Sequence, residues 1–116
     1  MEAMARERYL RISPLKLRKI VNLVRGKGVD DALYILKVLP NKGARIAYKA
    51  LYSAVSNFKN RYPESARQKL KISAIYVDQA PVLRRLMPRA RGRADVLRKQ
   101  SSHLTVIVST VEEKSK

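Results

Sequence analysis

Residues 69–111 read KLKISAIYVDQAPVLRRLMPRARGRADVLRKQSSHLTVIVSTV, and this stretch decides the fold. Its first limb, Lys69 to Asp78, alternates apolar and polar residues and is rich in β-branched side chains, as a half-buried strand requires. Its last limb, His103 to Val111, does the same. Both limbs pass from alternation towards a continuous apolar run, the pattern of strands covered by helices. Between them lies a long connector with neither the helical nor the strand period.

Upstream, the apolar spacing changes to that of helices. Ser13 offers an N-cap hydroxyl and Pro14 suits the first helical position, where its missing N–H needs no partner. Leu17, Ile20, Val21 and Val24 follow at helical spacing, with Lys16, Arg18, Lys19 and Arg25 on the other faces. Gly26 is expected to stop this helix through a left-handed cap. Asp30 or Asp31 is expected to cap a second, short helix carrying Ala32, Ile35, Leu36 and Leu39, which ends before Pro40. Asn41 is expected to cap the longest helix, whose stripe is Ile46, Ala47, Ala50, Leu51, Ala54, Val55 and Phe58. Tyr62-Pro63 ends it. A weak alternation over Ala3 to Arg11 predicts one more strand, and the tail from Glu112 to Lys116 is expected to fray. The order strand, three helices, two strands predicts an α+β domain, with three helices packed on a small antiparallel sheet.

The charge balance sets the class of partner. The 116 residues carry 26 Lys plus Arg against 9 Asp plus Glu, a formal net charge of +17. That length allows one domain, 1–116, and a 46% hydrophobic content supports a real core. A surplus of this size makes a compact fold repel itself, which an acidic partner relieves. Nucleic acid is the first candidate and an anionic membrane surface the second. The sequence holds no cysteine, so disulfide-linked partners, thiolate metal sites and cysteine nucleophiles are excluded. No run approaches the roughly 18 apolar residues of a membrane span, and the first twenty residues lack a signal-peptide core. The expectation is a soluble, cytoplasmic protein.

The connector is where the charge concentrates. From Arg84 to Lys99 it holds seven basic residues, Arg84, Arg85, Arg89, Arg91, Arg93, Arg98 and Lys99, against Asp95 alone. Six of the seven are arginine, whose planar fork grips phosphate in two places and stacks on bases. If both strands continue into it, each arm adds about seven residues at roughly 3.3 Å, a reach on the order of 20 Å. Pro88 and Gly92 would shape the turn. The expectation is a protruding hairpin finger over 82–98 that becomes ordered inside folded RNA. A basic loop is often only a solvated loop. Here it coincides with a second basic cluster, Arg6, Arg8, Arg11, Lys16, Arg18, Lys19, Arg25 and Lys27, and two such clusters on one small domain favour binding.

Arg84, then Arg89-Ala90-Arg91-Gly92-Arg93, and after a gap of nine His103-Leu104-Thr105-Val106-Ile107-Val108, form a pattern that resembles the bacterial large-subunit ribosomal proteins of family twenty-two. Arg11-Ile12-Ser13-Pro14 with Lys16 and Arg18, and Tyr76-Val77-Asp78 with Pro81, resemble the same family, so the likeness spans nearly the whole chain. Leu15 and Gln100 depart from it where a basic residue is common, and the loop Lys59 to Gln68 is atypical. The resemblance implies a structural constituent of the large ribosomal subunit that binds 23S ribosomal RNA, stabilises its folded domains during assembly and needs no cofactor. It implies a body near the exit of the nascent-peptide tunnel, beside neighbouring ribosomal proteins. It also implies a hairpin lining that tunnel with Leu83, Arg84, Arg85, Met87, Pro88, Arg89, Ala90, Arg91, Gly92 and Arg93. The nascent peptide is then a further partner, and macrolides would bind close to the hairpin, near Leu83, Arg84 and Arg85. The expected RNA contacts are Arg11, Lys16, Arg18, Arg25, Lys27, Arg84, Arg85, Arg89, Arg91, Arg93, Arg98, Lys99 and His103.

Nothing in the chain argues for an enzyme. Ser101, Ser102 and His103 are adjacent on a predicted strand, where neighbours point to opposite faces. His103 is expected to pack, to hydrogen-bond at the strand start, or to meet a phosphate. One histidine and no cysteine leave no plausible metal set. Asp78 and Asp95 are expected to partner nearby arginines. Gly26-Lys27-Gly28 is too short for a phosphate loop. The six tyrosines are expected mostly in the core or at its rim, with no aromatic platform for single strands. A nucleoid DNA-binding protein shares the charge but lacks helix-turn-helix spacing. A membrane-surface protein would need an exposed amphipathic helix with bulky anchors, which is not evident.

Overall fold

The chain begins with β1 (Glu2–Leu10), and three helices follow at the local signals that announce them: α1 (Pro14–Val24), α2 (Val29–Val38) and α3 (Lys42–Arg61). A single 3₁₀ turn at Pro63–Ser65 leads to β2 (Leu70–Gln79), then β3 (Leu83–Pro88), β4 (Ala94–Lys99) and β5 (Ser102–Thr110). The computed structural model describes residues 2–65, 68–81, 83–88, 94–99 and 101–110, with 83–88 and 94–99 described by their backbone. Arg89, Ala90, Arg91, Gly92, Arg93, Gln100 and the tail from 111 onward lie outside the described residues.

β5 is the centre of a three-stranded antiparallel sheet in the order β1-β5-β2. Its burial explains the drift towards continuous apolarity: Leu104, Thr105, Val106 and Val108 are all essentially inaccessible. The helices cover one face. Leu17, Val21 and Val24 of α1, Leu36 of α2 and Leu51 and Phe58 of α3 meet Ile72, Ile75, Val77, Leu104, Val106 and Val108 in one core. Ala44, Ala47, Ala50 and Ala54 are fully buried along α3, opposite a strand β1 that offers only Ala3 and Ala5. Small side chains on both sides let helix and strand backbones approach closely without voids. The resulting α+β architecture is the one expected from the period changes along the chain.

Several local expectations are corrected. Asp30 and Asp31 do not cap α2, because the helix already starts at Val29, with Gly28 in the N-cap position. Both carboxylates stand instead in the first turn, where they oppose the positive end of the helix dipole. Asn41 does occupy the N-cap of α3, but its side chain makes no capping bond. The tyrosines are not mostly core or rim: Tyr9, Tyr34, Tyr52 and Tyr76 are exposed, and only Tyr48 and Tyr62 are half-buried against the core. Alanine supplies α3 with the close packing that a ring would prevent. Asp78 is exposed and stands opposite His103 in the ladder.

The expectation for Ser13 and Gly26 agrees with the backbone. Ser13 Oγ accepts a hydrogen bond from Lys16 N at 3.4 Å, and Gly26 adopts φ of 77°, which costs glycine little. Beyond Gly26 the chain docks on the sheet edge, where Ile72 N donates to the Lys27 carbonyl at 3.1 Å.

Among the described residues β3 and β4 pair only with each other, from Leu83↔Lys99 to Pro88↔Ala94. They stand directly beyond the β2–β5 pair, whose last rung is Gln79↔Ser102 and whose end is closed by Ala80 N donating to Ser101 O at 3.0 Å. The register changes by one residue at this junction, with Pro81, which has no N–H for a ladder, in the longer arm. The molecule is accordingly elongated. Its extents are 72 × 26 × 22 Å and its radius of gyration 17.9 Å, against about 13 Å for a compact domain of about 100 residues.

Candidate nucleic-acid interface

Two kinds of basic residue emerge from the folded body. Arg18, in α1, and Arg25, its C-cap residue two turns further on, each reach the adjacent sheet. Arg18 Nη2 donates to the Val77 carbonyl at 3.0 Å and Arg25 Nη2 to the Ile75 carbonyl at 2.9 Å. The anti-parallel ladder leaves alternate carbonyls of edge strand β2 without a strand partner, and the two guanidiniums satisfy them. Each fork keeps further N–H groups facing outward, because both residues remain exposed. They are structural ties with spare donors.

Arg11 and Lys16 belong to a different feature. With Lys19 and Lys42 they surround an open cleft of about 650 Å³ between the starts of α1 and α3, floored by Ile12 and Ile20. Ser13, Asn41 and Gly43 complete its lining, and no acidic residue is among them. Gly43 is what lets the helices meet here: a Cβ would stand 3.1 Å from Ile20 Cγ1 and 3.2 Å from Ile12 Cδ1. Lys42 Nζ donates to the Arg11 carbonyl at 3.2 Å, tying the two rims together. Lys42 escapes a reading by sequence clusters because it lies far along the chain from Arg11 and Lys16. The missing acid in the first turns of both α1 and α3 is the signal that could have found it.

His103 has a defined structural role. Tyr9 N donates to its Nδ1 at 3.1 Å, and the two rings meet edge to face with centroids 4.8 Å apart. An accepting Nδ1 places the neutral ring's proton on Nε2, which leaves that N–H as the group able to reach a ligand. Ser102, beside it, is buried and donates its hydroxyl to the Ile12 carbonyl at 2.7 Å, so that hydroxyl is directed away from His103. Lys27 is exposed at the turn after α1, and its carbonyl is the part held by the sheet.

In the ribbon, Arg84 stands opposite Arg98, Leu83 opposite Lys99 and Arg85 opposite Leu97.

A basic body with this topology, extended by a ribbon of arginines, can be set beside known proteins. A sequence profile of the family described as Ribosomal protein L22p/L17e matches residues 5–109. The chain belongs to that family. It is 49% identical over 113 residues to the large ribosomal subunit protein uL22 of Pelotomaculum thermopropionicum, covering 97% of this chain and 99% of the relative. The uL22 protein of Thermus thermophilus is 46% identical over 108 residues, 93% of this chain and 95% of its own length. That of Chloroflexus aggregans is 49% identical over 109 residues, covering 94% and 96%. Members of the L22p/L17e family are structural components of a ribosome rather than enzymes, and the match runs through both the body and the arginine ribbon.

Proposed function

We propose that this chain is a constituent of the bacterial large ribosomal subunit, in the cytoplasm, that binds 23S ribosomal RNA, stabilises its folded domains during assembly and lines the nascent-peptide exit tunnel with the ribbon over 82–98. The observation that carries the reading is the L22p/L17e match across residues 5–109, which includes the self-paired ribbon rich in arginine. The expected contacts are Arg11, Lys16, Arg18, Arg25, Lys27 and His103 on the body and Arg84, Arg85, Arg89, Arg91, Arg93, Arg98 and Lys99 on the finger. Neighbouring large-subunit proteins and the nascent peptide are the protein partners.

The mechanism is electrostatic bridging. Arginine forks on an extended ribbon neutralise phosphates of packed RNA helices, and the body holds a second segment at a fixed distance from them. A-form grooves hide base edges, so the contacts read backbone and shape, and affinity falls steeply with salt.

The test is filter binding of the full chain to 23S ribosomal RNA near physiological salt, against excess unrelated RNA and duplex DNA. Retained preference for 23S RNA supports the reading. Equal competition by every polyanion overturns it and restores the nucleoid and membrane-surface alternatives. Photocrosslinking from position 85 to a stalled nascent chain tests the tunnel wall, and no crosslink in assembled ribosomes would remove that part.

A further inference from the structure

The cleft between the starts of α1 and α3 has features that general solubility does not explain. Arg11, Lys16, Lys19 and Lys42 converge on one concavity, although like charges so close together repel. Both helices begin there without an acidic residue in the first turn, so the positive ends of their dipoles add to the repulsion. α2 shows the ordinary solution, with Asp30 and Asp31 in its first turn. The cleft is also pre-formed. Ile12 and Ile20 line it, both packed so closely on Gly43 that a Cβ there would clash, and its rims are joined by the bond from Lys42 Nζ to the Arg11 carbonyl. An anion held between the four cations would relieve the strain with no rearrangement of the fold.

We infer that this cleft is a dedicated clamp for one phosphodiester of the bound RNA, with Arg11, Lys16, Lys19 and Lys42 on the phosphate oxygens and the apolar floor of Ile12 and Ile20 against the adjoining ribose. The inference rests on the reading that the chain binds RNA, and it names the partner group at this place. The clamp lies beside the root of the ribbon, because Ile12 in its floor accepts the hydrogen bond of Ser102, the first residue of β5. One phosphate held there sets the angle at which the ribbon enters the RNA.

The test compares two double variants of the full chain with equal change in charge. Lys19→Gln/Lys42→Gln empties the clamp. Lys59→Gln/Lys71→Gln removes two exposed cations from the far ends of α3 and the sheet, roughly 25 Å along the helix at 1.5 Å per residue. The clamp variant should bind 23S RNA roughly tenfold more weakly than the control variant, since a hydrogen bond to a charged group is worth about a power of ten. In the unaltered protein, inorganic phosphate should shift the amide signals of Lys16, Gly43 and Ala44 saturably. Equal weakening by the two variants, or phosphate shifts spread evenly over the basic surface, overturns the clamp. Loss of 23S preference by the unaltered protein would instead strike the functional reading, and the phosphate titration would still decide the cleft. It also decides it should the clamp variant fail to fold.

Discussion

Ser102 Oγ donates to the Ile12 carbonyl at 2.7 Å, and this bond ties the root of the arginine ribbon to the segment that enters α1. Ser102 is fully buried, so the donor has no water to fall back on. Ser102 is also the residue at which β5 meets both neighbours, opposite Leu10 of β1 and Gln79 of β2. Replacement by alanine should cost about 1 kcal/mol, a fall of about 4 °C in Tm. Calorimetry of the free protein checks this, and an unchanged Tm would show that the tie carries nothing.

Tyr9 takes φ of 55°, a left-handed conformation that glycine adopts at little cost and other residues do not. It lies in the irregular stretch of β1 between Glu7 and Leu10, where the backbone turns so that Tyr9 N can reach His103. The ring contact with His103 is the compensation that keeps tyrosine there. Tyr9→Ala loses the ring and keeps the strain, whereas Tyr9→Gly loses the ring and removes the strain. Glycine should therefore be the more stable of the two by about 1 kcal/mol, the reverse of the usual order in a strand. Urea denaturation of both variants decides it.

These two contacts also mark the limit of what was legible in the chain. The helices could be read because their apolar spacing and end signals are local: Ser13-Pro14 starts α1, Gly26 ends it, and Tyr62-Pro63 ends α3. Strand β5 could be read because a central strand must be nearly continuous in apolar residues. The start of α2 is not legible locally, because Gly28 at its N-cap makes an isolated bridge to Lys71, a contact distant in sequence. The exposure of the tyrosines is not legible either, because hydrophobicity alone does not say that α3 needs alanine where it crosses β1. The cleft was half legible. Arg11 and Lys16 belong to a visible cluster, but Lys42 joins them only through the packing of Gly43 against Ile12 and Ile20.

Arg18 and Arg25 differ from Lys16 and Lys19 in what they do for the free protein. The two arginines bond the Val77 and Ile75 carbonyls, whereas no strand carbonyl holds either lysine among the described residues. Arg18→Ala/Arg25→Ala should lower Tm, with each lost bond worth about 1 kcal/mol at a solvent-exposed site. Lys16→Ala/Lys19→Ala should leave Tm unchanged or raise it slightly by relieving repulsion at the start of α1. Melting curves of the two double variants at low salt separate the cations that tie the fold from those that do not. Equal losses would contradict the division.

Phe58 is fully inaccessible near the end of α3 and packs with Tyr62 at a centroid distance of 5.1 Å. Phe58→Ala should cost about 3–5 kcal/mol through lost burial and the cavity left behind. Because a domain of this size is worth only about 5–15 kcal/mol, the variant should be largely unfolded at 37 °C in the absence of RNA. Far-ultraviolet circular dichroism with and without 23S RNA checks this, and a variant still native-like on its own would show a core more tolerant than its packing implies.

The finger makes the opposite prediction. Among the described residues the core is assembled by the helices and the three-stranded sheet, while β3 and β4 pair only with each other. Arginines 89, 91 and 93 lie outside the described residues, and the proposed function assigns them to the RNA and not to the body. Replacing all three with alanine should leave the melting temperature within about 2 °C of the parent, since surface changes away from packing cost little. The same variant should bind 23S RNA with a shallower salt dependence. Each phosphate contact contributes about 0.7–0.9 to the slope of log K against log salt, so three lost contacts reduce it by about 2–3. Binding isotherms across a range of potassium chloride, paired with melting curves, measure both quantities. A body that melts much earlier would place the finger in the fold, and an unchanged slope would take these arginines off the phosphate backbone.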